Sequence, residues 1–557
     1  MQSIFKYIKR PYIGILFCSF SIVFFSGKAE SQVVWENQQA EIYPYLARMA
    51  QKGLIVFDDQ IRPVSRIYLE SCLDSLKLIS HLLSMKERRE LDFFRQEYND
   101  AHTMRNADTL VSAKFFRKDT DNRWRAMGFK EKNWLLRIDP VLTAATIQGS
   151  GRDIRQTSSG FNLYGYAGKH WGYYFSFNDV TETGTGLDTS KQLTPTTGVV
   201  GSIAANGKSR NYSELRGGVS YAWNKGLLSI GQDQLLNGYG ENGRIILSSK
   251  SPTYPYLRFD YQPFNWLHFN YTHAWLNSNI LDSSRTYLTG TGAFGGQRNF
   301  YIQKFMAQHS LRFRVHKGLD ITVGESMVYS DRLEIGYLIP VLFFKAYDNL
   351  VNNGNINAGS NGQLFLQVSS RNNLPKTHLY GAIFIDEIRV ATMFDPSKSR
   401  NQLGYTLGAS VTDIGIPYLT IGLEYTRINP FVYRNLLPAQ DYTNSNYVMG
   451  DWMGNNADRW IASVKYTPIP KLKCMLRYQV LRKGSNGTID QQYFQEPQPP
   501  FLFGLLTKQQ EWHFQCSYEW LNKLSFTGYY QSAHINDIVN STSKQDNSFS
   551  LGIRYGL

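Results

Sequence analysis

Charged side chains of both signs are concentrated in residues 304–334, where they could bind a charged ligand. The stretch carries Lys304, Arg312, Arg314, Glu325, Asp331, Arg332 and Glu334. Arginine and lysine bind the acidic groups of sugars and other polyanions, and nearby tyrosines can stack on sugar rings. The polysaccharide-binding site that we predict comprises Arg312, Arg314, Glu325, Tyr329, Asp331 and Arg332, with Asp233 and Arg244. The structural alternative is an ion-pair network that plugs the interior of a barrel.

Two motifs that could carry catalysis or cofactor binding lack the surroundings they need. Residues 238–243 (GYGENG) fit a dinucleotide-binding glycine pattern, but no helical stripe follows them before Pro252. His309 and Ser310 could supply a base and a nucleophile, but neighbouring residues of a strand point to opposite faces. The histidines and cysteines match no zinc-binding spacing. We therefore expect no enzymatic activity, no cofactor and no metal.

The charged residues must be positioned by strands, because the apolar side chains around them recur at every second position. One face of residues 305–315 carries Phe305, Ala307, Leu311, Phe313 and Val315, and the other carries Gln308, Ser310, Arg312, Arg314 and His316. After a turn at residues 317–318, apolar positions resume at Leu319, Ile321 and Val323. The pattern predicts an antiparallel hairpin. In an outer-membrane barrel its apolar face contacts lipid and its basic face lines the lumen, and we place Glu325 and Tyr329 toward the outer mouth of that lumen.

The N-terminus has the organisation of a secretory signal peptide, which we predict to be residues 1–29. Three basic residues precede an apolar core at residues 13–25, and Gly27 and Ala29 suit cleavage after Ala29. The core is too short to span a bilayer as a helix. Cys18 lies inside the core, which disfavours a lipoprotein. The sequence therefore predicts an exported protein.

Composition favours an outer-membrane barrel with anionic partners. Aromatic residues make up 14% of the chain, with 36 Tyr and 33 Phe, as in the aromatic girdles of such barrels. The formal charge is +14, and removal of Lys6, Lys9, Arg10 and Lys28 with the signal peptide leaves +10. Expected partners are acidic surface polysaccharide, lipopolysaccharide phosphates and phospholipid headgroups, and not nucleic acid. A charge surplus without a partner is the alternative.

Residues 36–100 have helical rather than strand periodicity. Three helices are predicted, at about residues 43–54, from Ser65 to about residue 79, and at about 85–98. With a polar connector at 101–131 they make a small periplasmic α-helical bundle over residues 30–131. The bundle is either a packing and capping module or a docking surface for a periplasmic protein partner.

The remaining chain, residues 132–557, is predicted to be mainly β, a transmembrane antiparallel β-barrel of about 18 strands. Short turns are expected at 168–170, 224–226, 263–265, 317–318, 372–376, 413–417, 468–470 and 521–523. Long polar connections are expected at 148–160, 178–212, 236–256, 275–303, 330–363, 389–402, 427–459, 482–510 and 532–547. The alternation of Phe549, Leu551, Ile553 and Tyr555 is typical of a closing strand.

Three cysteines remain after processing, and their spacing matches no disulfide framework. Cys474 and Cys516 fall on the predicted strands 15 and 16, so a disulfide between them is one alternative. We favour buried or lipid-facing free thiols at Cys72, Cys474 and Cys516.

An ordered set of segments resembles the capsule-assembly Wzi family. The segments are 231–233 (GQD) with 247–249 (LSS), 324–329 (GESMVY), 337–341 (YLIPV), 379–381 (LYG) with 385–387 (IDE), 429–433 (NPFVY) and 454–458 (GNNAD). The resemblance implies an 18-stranded outer-membrane barrel with a periplasmic three-helix bundle and a lectin-like role in holding capsular polysaccharide at the cell surface. Residues 237–240 (NGYG) replace a Trp-Gly-Pro-like segment of the family, so glycan specificity does not carry over.

The sequence thus favours a non-enzymatic outer-membrane barrel that retains exported surface polysaccharide. One alternative is a porin or nutrient channel, because 18 strands enclose enough space for a pore. Another is an accessory barrel of a surface motility or secretion complex, since related barrels of gliding bacteria serve motility.

Overall fold

The computed structural model describes residues 32–105, 114–119, 122–187, 199–203, 207–290, 292, 295–352 and 359–556. Eighteen antiparallel strands close into a barrel, as predicted. The strands are β1 (Trp134–Gly149), β2 (Arg152–Ala167), β3 (Trp171–Thr185), β4 (Ser209–Trp223), β5 (Gly226–Asp233), β6 (Tyr254–Phe264), β7 (Leu267–Leu281), β8 (Tyr301–His316), β9 (Leu319–Ser330), β10 (Asn361–Arg371), β11 (Thr377–Ile388), β12 (Asn401–Thr412), β13 (Leu419–Ile428), β14 (Ala457–Tyr466), β15 (Leu472–Lys483), β16 (Thr507–Leu521), β17 (Leu524–Asp537) and β18 (Thr542–Tyr555). The predicted signal peptide lies outside the described residues.

The connections alternate between a short-turn end and a long-loop end of the barrel. Each of the predicted short turns joins two consecutive strands, from β2–β3 to β16–β17. The long connections predicted at 148–160 and 532–547 are wrong, because β1–β2 and β17–β18 are joined by residues 150–151 and 538–541. Near these joins the outward positions are polar, as at Asp153, Arg155 and Thr157, and they are exposed. Strands that extend past the apolar band therefore resemble loops in sequence.

Side chains alternate between an apolar outer surface and a polar lumen. Leu311, Val323 and Leu366 face outward and are exposed, whereas Gln308, Ser310 and Arg312 face inward and are buried. Exposed tryptophans mark the short-turn end of the outer surface at Trp134, Trp171, Trp266 and Trp520. Aromatic rings at this level of a barrel suit a membrane interface.

The N-terminal module, residues 32–105, contains the three predicted helices. They are α1 (Ile42–Gln51), α2 (Arg66–Leu78) and α3 (Met85–Glu97), followed by α4 (Asp100–Arg105). The predicted connector also contains a hairpin, Lys114–Lys118 with Trp124–Glu131, whose second strand pairs with β1. Of the helices in the described ranges, none combines the length and apolar character needed to cross a membrane.

The N-terminal module occupies the lumen at the short-turn end. It bonds to widely separated strands and turns through Trp35–Ser229, Gln60–Thr322, Asp59–Arg371, Arg48–Asp413 and Glu41–Lys473. The sequence predicted the helices but not their insertion between the strands.

Arg66 is the hub of a buried ion-pair network that fixes this module. Its guanidinium pairs with Glu36, lies 2.8 Å from Asp100 and 3.2 Å from Glu97, and is 3% exposed. Further cations reach the same carboxylates: Lys523 at Glu36, Arg137 at Asp100, and Arg123 and Arg125 at Glu97. Burial alone would raise the pKa of Glu97, but the surrounding arginines hold that pKa well below its usual range.

Two long segments fold into the lumen from the opposite end. Residues 234–253 follow β5 and residues 429–456 follow β13, and they bury Ile245, Ile246, Leu247, Val432, Tyr433 and Met449 against inward residues such as Phe365 and Phe384. The short helix α6 (Ile489–Tyr493) belongs to a third connection at this end, and α5 (Phe344–Val351) to a fourth. The lumen is thus occupied by the chain's own segments at both ends.

Cys474 and Cys516 form a disulfide, so the expectation of free thiols there is wrong. The two residues are directly opposed on β15 and β16, with their Cα atoms 4.2 Å apart. Their positions share the outward face with Leu476 and Phe514. Cys72 is a buried free thiol, as expected.

Candidate functional site

The eight predicted site residues do not form one site. Arg312 faces the lumen but pairs with Asp58 of the N-terminal module. Arg314 pairs with Asp320 across the same hairpin, at 2.9 Å. These two arginines therefore take part in structural ion pairs, which was the alternative interpretation of their charge.

Asp233 is also committed to a structural contact. Both of its carboxylate oxygens accept hydrogen bonds from Arg216, each at 2.7 Å, and it is 1% exposed. Tyr174 donates a further hydrogen bond at 3.1 Å. A bidentate arginine of this kind leaves the carboxylate little capacity for a ligand.

The prediction that Glu325 and Tyr329 face the lumen is wrong. Glu325 is paired in register with Leu364, and Val323 on the same strand face is exposed on the outer surface. Directly opposed residues and residues two apart share a face. Both predicted residues therefore point out of the barrel.

They are nevertheless buried, because residues 331–352 fold back onto the outside of β7–β9. We call residues 331–352 the outer-wall segment; it contains a 3-10 turn (Ile335–Leu338) and α5. Glu325 accepts hydrogen bonds from the backbone amides of Phe344 (2.5 Å) and Lys345 (3.5 Å), and so caps α5. His309 lies 3.1 Å from Glu325 and donates from Nδ1 to the carbonyl of Pro340 at 2.8 Å.

Tyrosines complete the attachment of the outer-wall segment. Tyr271 donates to the carbonyl of Tyr337 at 2.8 Å, and the Tyr329 hydroxyl lies 2.8 Å from His273. Asp331 and Arg332 begin the segment; Arg332 is 79% exposed at its side chain and pairs with Glu334. These four predicted residues, Glu325, Tyr329, Asp331 and Arg332, hold or flank a structural segment rather than a lumenal site.

Of the predicted residues, Arg244 lines the central chamber of the lumen, whereas Arg312 lines a separate cavity of about 160 Å³ and Glu325 one of about 420 Å³. This central chamber has a volume of about 460 Å³ and lies between α1, the loop at residues 238–244 and the strands β10 to β16. A second cavity of about 390 Å³ lies beside β16–β18 and β1, and shares Glu41, Gln515 and Ser517 with the first. Sites for small ligands commonly have volumes in this range.

Arginines and tyrosines converge on one side of the central chamber. Asp59 pairs with Arg62 at 2.6 Å and with Arg371 at 2.8 Å, and accepts a hydrogen bond from Tyr239 at 3.1 Å. Burial alone would raise the pKa of Asp59, but Arg371 and Arg62 hold it below its usual range. Tyr380 lies 5.8 Å from Tyr239 between ring centroids. The arrangement can bind an anionic group next to aromatic rings.

Sequence reasoning missed Tyr239, Tyr380, Arg371, Arg62 and Asp59 as neighbours of Arg244. The loop that presents Tyr239 belongs to the long polar connection predicted at residues 236–256, and that prediction does not place it inside the barrel. In the structure Leu236–Asn237 pairs with Ile61–Arg62 of the N-terminal module, and so the loop is inside the lumen. The available signal was the run Ile245-Ile246-Leu247, which needs burial that an external polar loop does not provide.

Neither family models nor curated proteins match this chain. Among solved structures, Wzi of Escherichia coli, an outer-membrane protein involved in group 1 capsule assembly and a carbohydrate-binding β-barrel, matches with a TM-score of 0.58. The match covers 95% of this chain and 100% of that chain at 12% identity. The chain has the Wzi fold. The resemblance that the sequence segments indicated is thus confirmed at the level of architecture.

Two further solved barrels match with lower TM-scores than the Wzi structure. OccAB2 of Acinetobacter baumannii has a TM-score of 0.43 at 10% identity, covering 75% of this chain and 97% of that one. OprD of Pseudomonas aeruginosa has a TM-score of 0.40 at 14% identity, covering 80% and 98%. Structural similarities with TM-scores this low do not support a functional argument.

Glu325→Ala tests the structural role of this carboxylate in the Wzi fold. Loss of the cap is expected to cost the attachment of α5 about 1–2 kcal/mol, because two backbone amides and His309 lose their partner. Hydrogen–deuterium exchange at residues 344–351 should become faster. Arg332→Ala, which removes an exposed arginine of the same segment, is the control and should leave that exchange unchanged. Equal exchange in both variants would contradict the capping role.

Proposed function

We propose that the chain is a non-enzymatic outer-membrane barrel that binds and retains exported acidic surface polysaccharide at the cell surface. The observation that carries the proposal is the occupied lumen, in which the N-terminal module and residues 234–253 and 429–456 replace an open pore. The Wzi fold supports it, because the Escherichia coli protein with this fold binds carbohydrate. A filled barrel is a scaffold for binding rather than a route for diffusion.

The short-turn end faces the periplasm and the long-loop end faces outward in this proposal. Outer-membrane barrels have short periplasmic turns and longer external loops. The apolar outer surface contacts membrane lipid and lipopolysaccharide, and export depends on the signal peptide at residues 1–29. Of the eight sequence-predicted residues, Arg244 is kept as a polysaccharide-binding residue, because it lines a chamber with tyrosine rings.

Deletion of the gene for this chain in the cell that makes it tests this function. Most acidic polysaccharide is expected to move from the cell-associated to the medium fraction, and re-expression should restore it. Purified chain should retain the isolated acidic polysaccharide but not a neutral dextran. Unchanged polysaccharide distribution together with no binding by the purified chain would refute the proposal.

A channel is the second candidate, because the two lumenal cavities share lining residues along the β15–β16 wall. Planar-bilayer recordings separate the candidates. Large, stable openings of the intact protein would favour a porin, whereas a closed baseline would favour the binding scaffold.

Binding of a periplasmic protein partner is a third candidate function, and apolar side chains exposed on the N-terminal module favour it. Leu78, Leu82 and Met85 are 84%, 61% and 70% exposed at the junction of α2 and α3. Apolar side chains exposed together often mark a contact surface. Docking is tested by comparing the periplasmic proteins that co-purify with the unchanged chain and with a Leu78→Ser, Leu82→Ser variant. An identical set of co-purified proteins would argue against docking at this surface.

A further inference from the structure

Arg244 differs from the other cations of the central chamber because it is unpaired. Its guanidinium makes no hydrogen bond and no ion pair with any residue in the described ranges. The neighbouring cations are engaged: Arg62 and Arg371 with Asp59, and Lys465 with Glu241 at 2.7 Å. Arg244 is partly buried, and a cation with reduced hydration and no partner is unfavourable. Such a residue is a candidate for an external anion.

The local charge balance also favours an anion. Arg62, Arg371 and Arg244 surround the single carboxylate of Asp59, whose oxygens already accept from two arginines and from Tyr239. Burial lowers the pKa of Arg244 to about 9, and the charge of Arg62 contributes in the same direction. At neutral pH the side chain therefore remains charged, and Asp59, which Arg62 and Arg371 already share, offsets that charge only in part.

The carboxylates across the chamber are committed elsewhere. Glu424 accepts hydrogen bonds from the Tyr380 hydroxyl at 2.6 Å and from the backbone amide of Glu241 at 2.8 Å. Glu241 and Glu41 pair with Lys465 and Lys473. Glu241 and Glu41 are thus paired with lysines, and the second oxygen of Glu424, Oε1, lies 3.8 Å from Arg459.

We propose that Arg244 binds the single acidic group, a carboxylate or a phosphate, of an anionic sugar held in the central chamber. Tyr239 and Tyr380 supply the aromatic faces on which the sugar ring packs, and the planar guanidinium fork suits both acidic groups. The inference rests on the proposed function and names the ligand class of the same barrel.

Saturation-transfer NMR on the full chain in detergent, with glucuronate, glucose 6-phosphate and glucose as probes, tests the site. Arg244→Ala is expected to raise the Kd of whichever acidic sugar binds by about tenfold, or about 1.4 kcal/mol, and to leave the weaker glucose signal unchanged. Arg244→Lys should lie between, because it retains charge but not the fork. The carboxylate and phosphate probes show which acidic group the chamber prefers.

Arg332→Ala is the matched control, since it removes an exposed arginine of the outer-wall segment. Equal affinities for the acidic sugars in Arg244→Ala and Arg332→Ala would overturn the assignment, and so would equal binding of glucose and glucuronate by the unchanged chain. If Arg244→Ala does not fold, as judged by heat-modifiable mobility, Arg244→Lys and Arg244→Gln decide the point. Intact polysaccharide retention alongside a failed NMR test would refute this site without refuting the proposed function.

Discussion

Arg459→Ala is expected to destabilise the inner end of residues 429–456 by about 5 kcal/mol. Arg459 is fully buried and bonds to Asp451 at 2.8 and 3.2 Å, with Glu424 at 3.8 Å. Asp451 is also fully buried and has Arg459 as its only ion-pair partner in the described residues. Removing one member of a buried pair leaves the other charge without compensation, which costs about 3–5 kcal/mol, and this pair lies at the upper end.

The measurement is hydrogen–deuterium exchange at residues 429–456 together with the conductance of the purified barrel. Faster exchange and new openings are expected, because this segment occupies the lumen at the long-loop end. Asp451→Asn combined with Arg459→Ala should recover part of the loss by removing the orphaned charge. Arg389→Ala is the control, since both members of its pair with Glu496 are exposed, at 42% and 44%, and its loss should change stability by no more than about 1 kcal/mol. Equal effects of the two arginine variants would contradict this account.

Arg66→Ala is expected to loosen the N-terminal module by about 3 kcal/mol while the barrel strands remain intact. The variant leaves Glu36, Glu97 and Asp100 buried, but each keeps another cation. The expected cost therefore lies at the lower end of the range for a broken buried pair. Limited proteolysis should cut within residues 32–105 sooner than in the unchanged chain.

Arg89→Ala on the exposed side of α3 is the control for this experiment, and its module should resist protease as the unchanged chain does. Protection of the module in Arg66→Ala equal to that in the control would show that other contacts hold it. Loss of heat-modifiable mobility in Arg66→Ala would show instead that the barrel itself depends on the network.

The barrel was predictable because its signals are local. Each short turn interrupts two alternating runs, so turn positions could be found without knowing which strands meet. The N-terminal helices were predictable from periodicity for the same reason. Their place in the lumen was not, because it depends on pairs such as Asp59 with Arg371, which are far apart in sequence and have no periodic signature.

The errors at the candidate site have a different cause. Alternation placed Val323 outward and therefore required the same of Glu325 and Tyr329, yet a carboxylate on a lipid-facing wall is unfavourable. The prediction that both residues face the lumen follows their charge and polarity, whereas in the structure the alternation of the strand decides their direction. The outer-wall segment makes this arrangement tolerable, because its amides and Pro340 supply polar partners where lipid would otherwise lie.

The Cys474–Cys516 bond has a consequence for assembly. The two cysteines are directly opposed, and a slip of β15 against β16 by one residue would turn one sulfur to the other face, while a slip by two would carry the Cα atoms beyond bonding range. Oxidation therefore selects the native alignment of this strand pair and closes the intervening connection, which includes α6, into a covalent ring. If the disulfide forms before the chain inserts into the membrane, the register of β15 against β16 is already fixed at insertion.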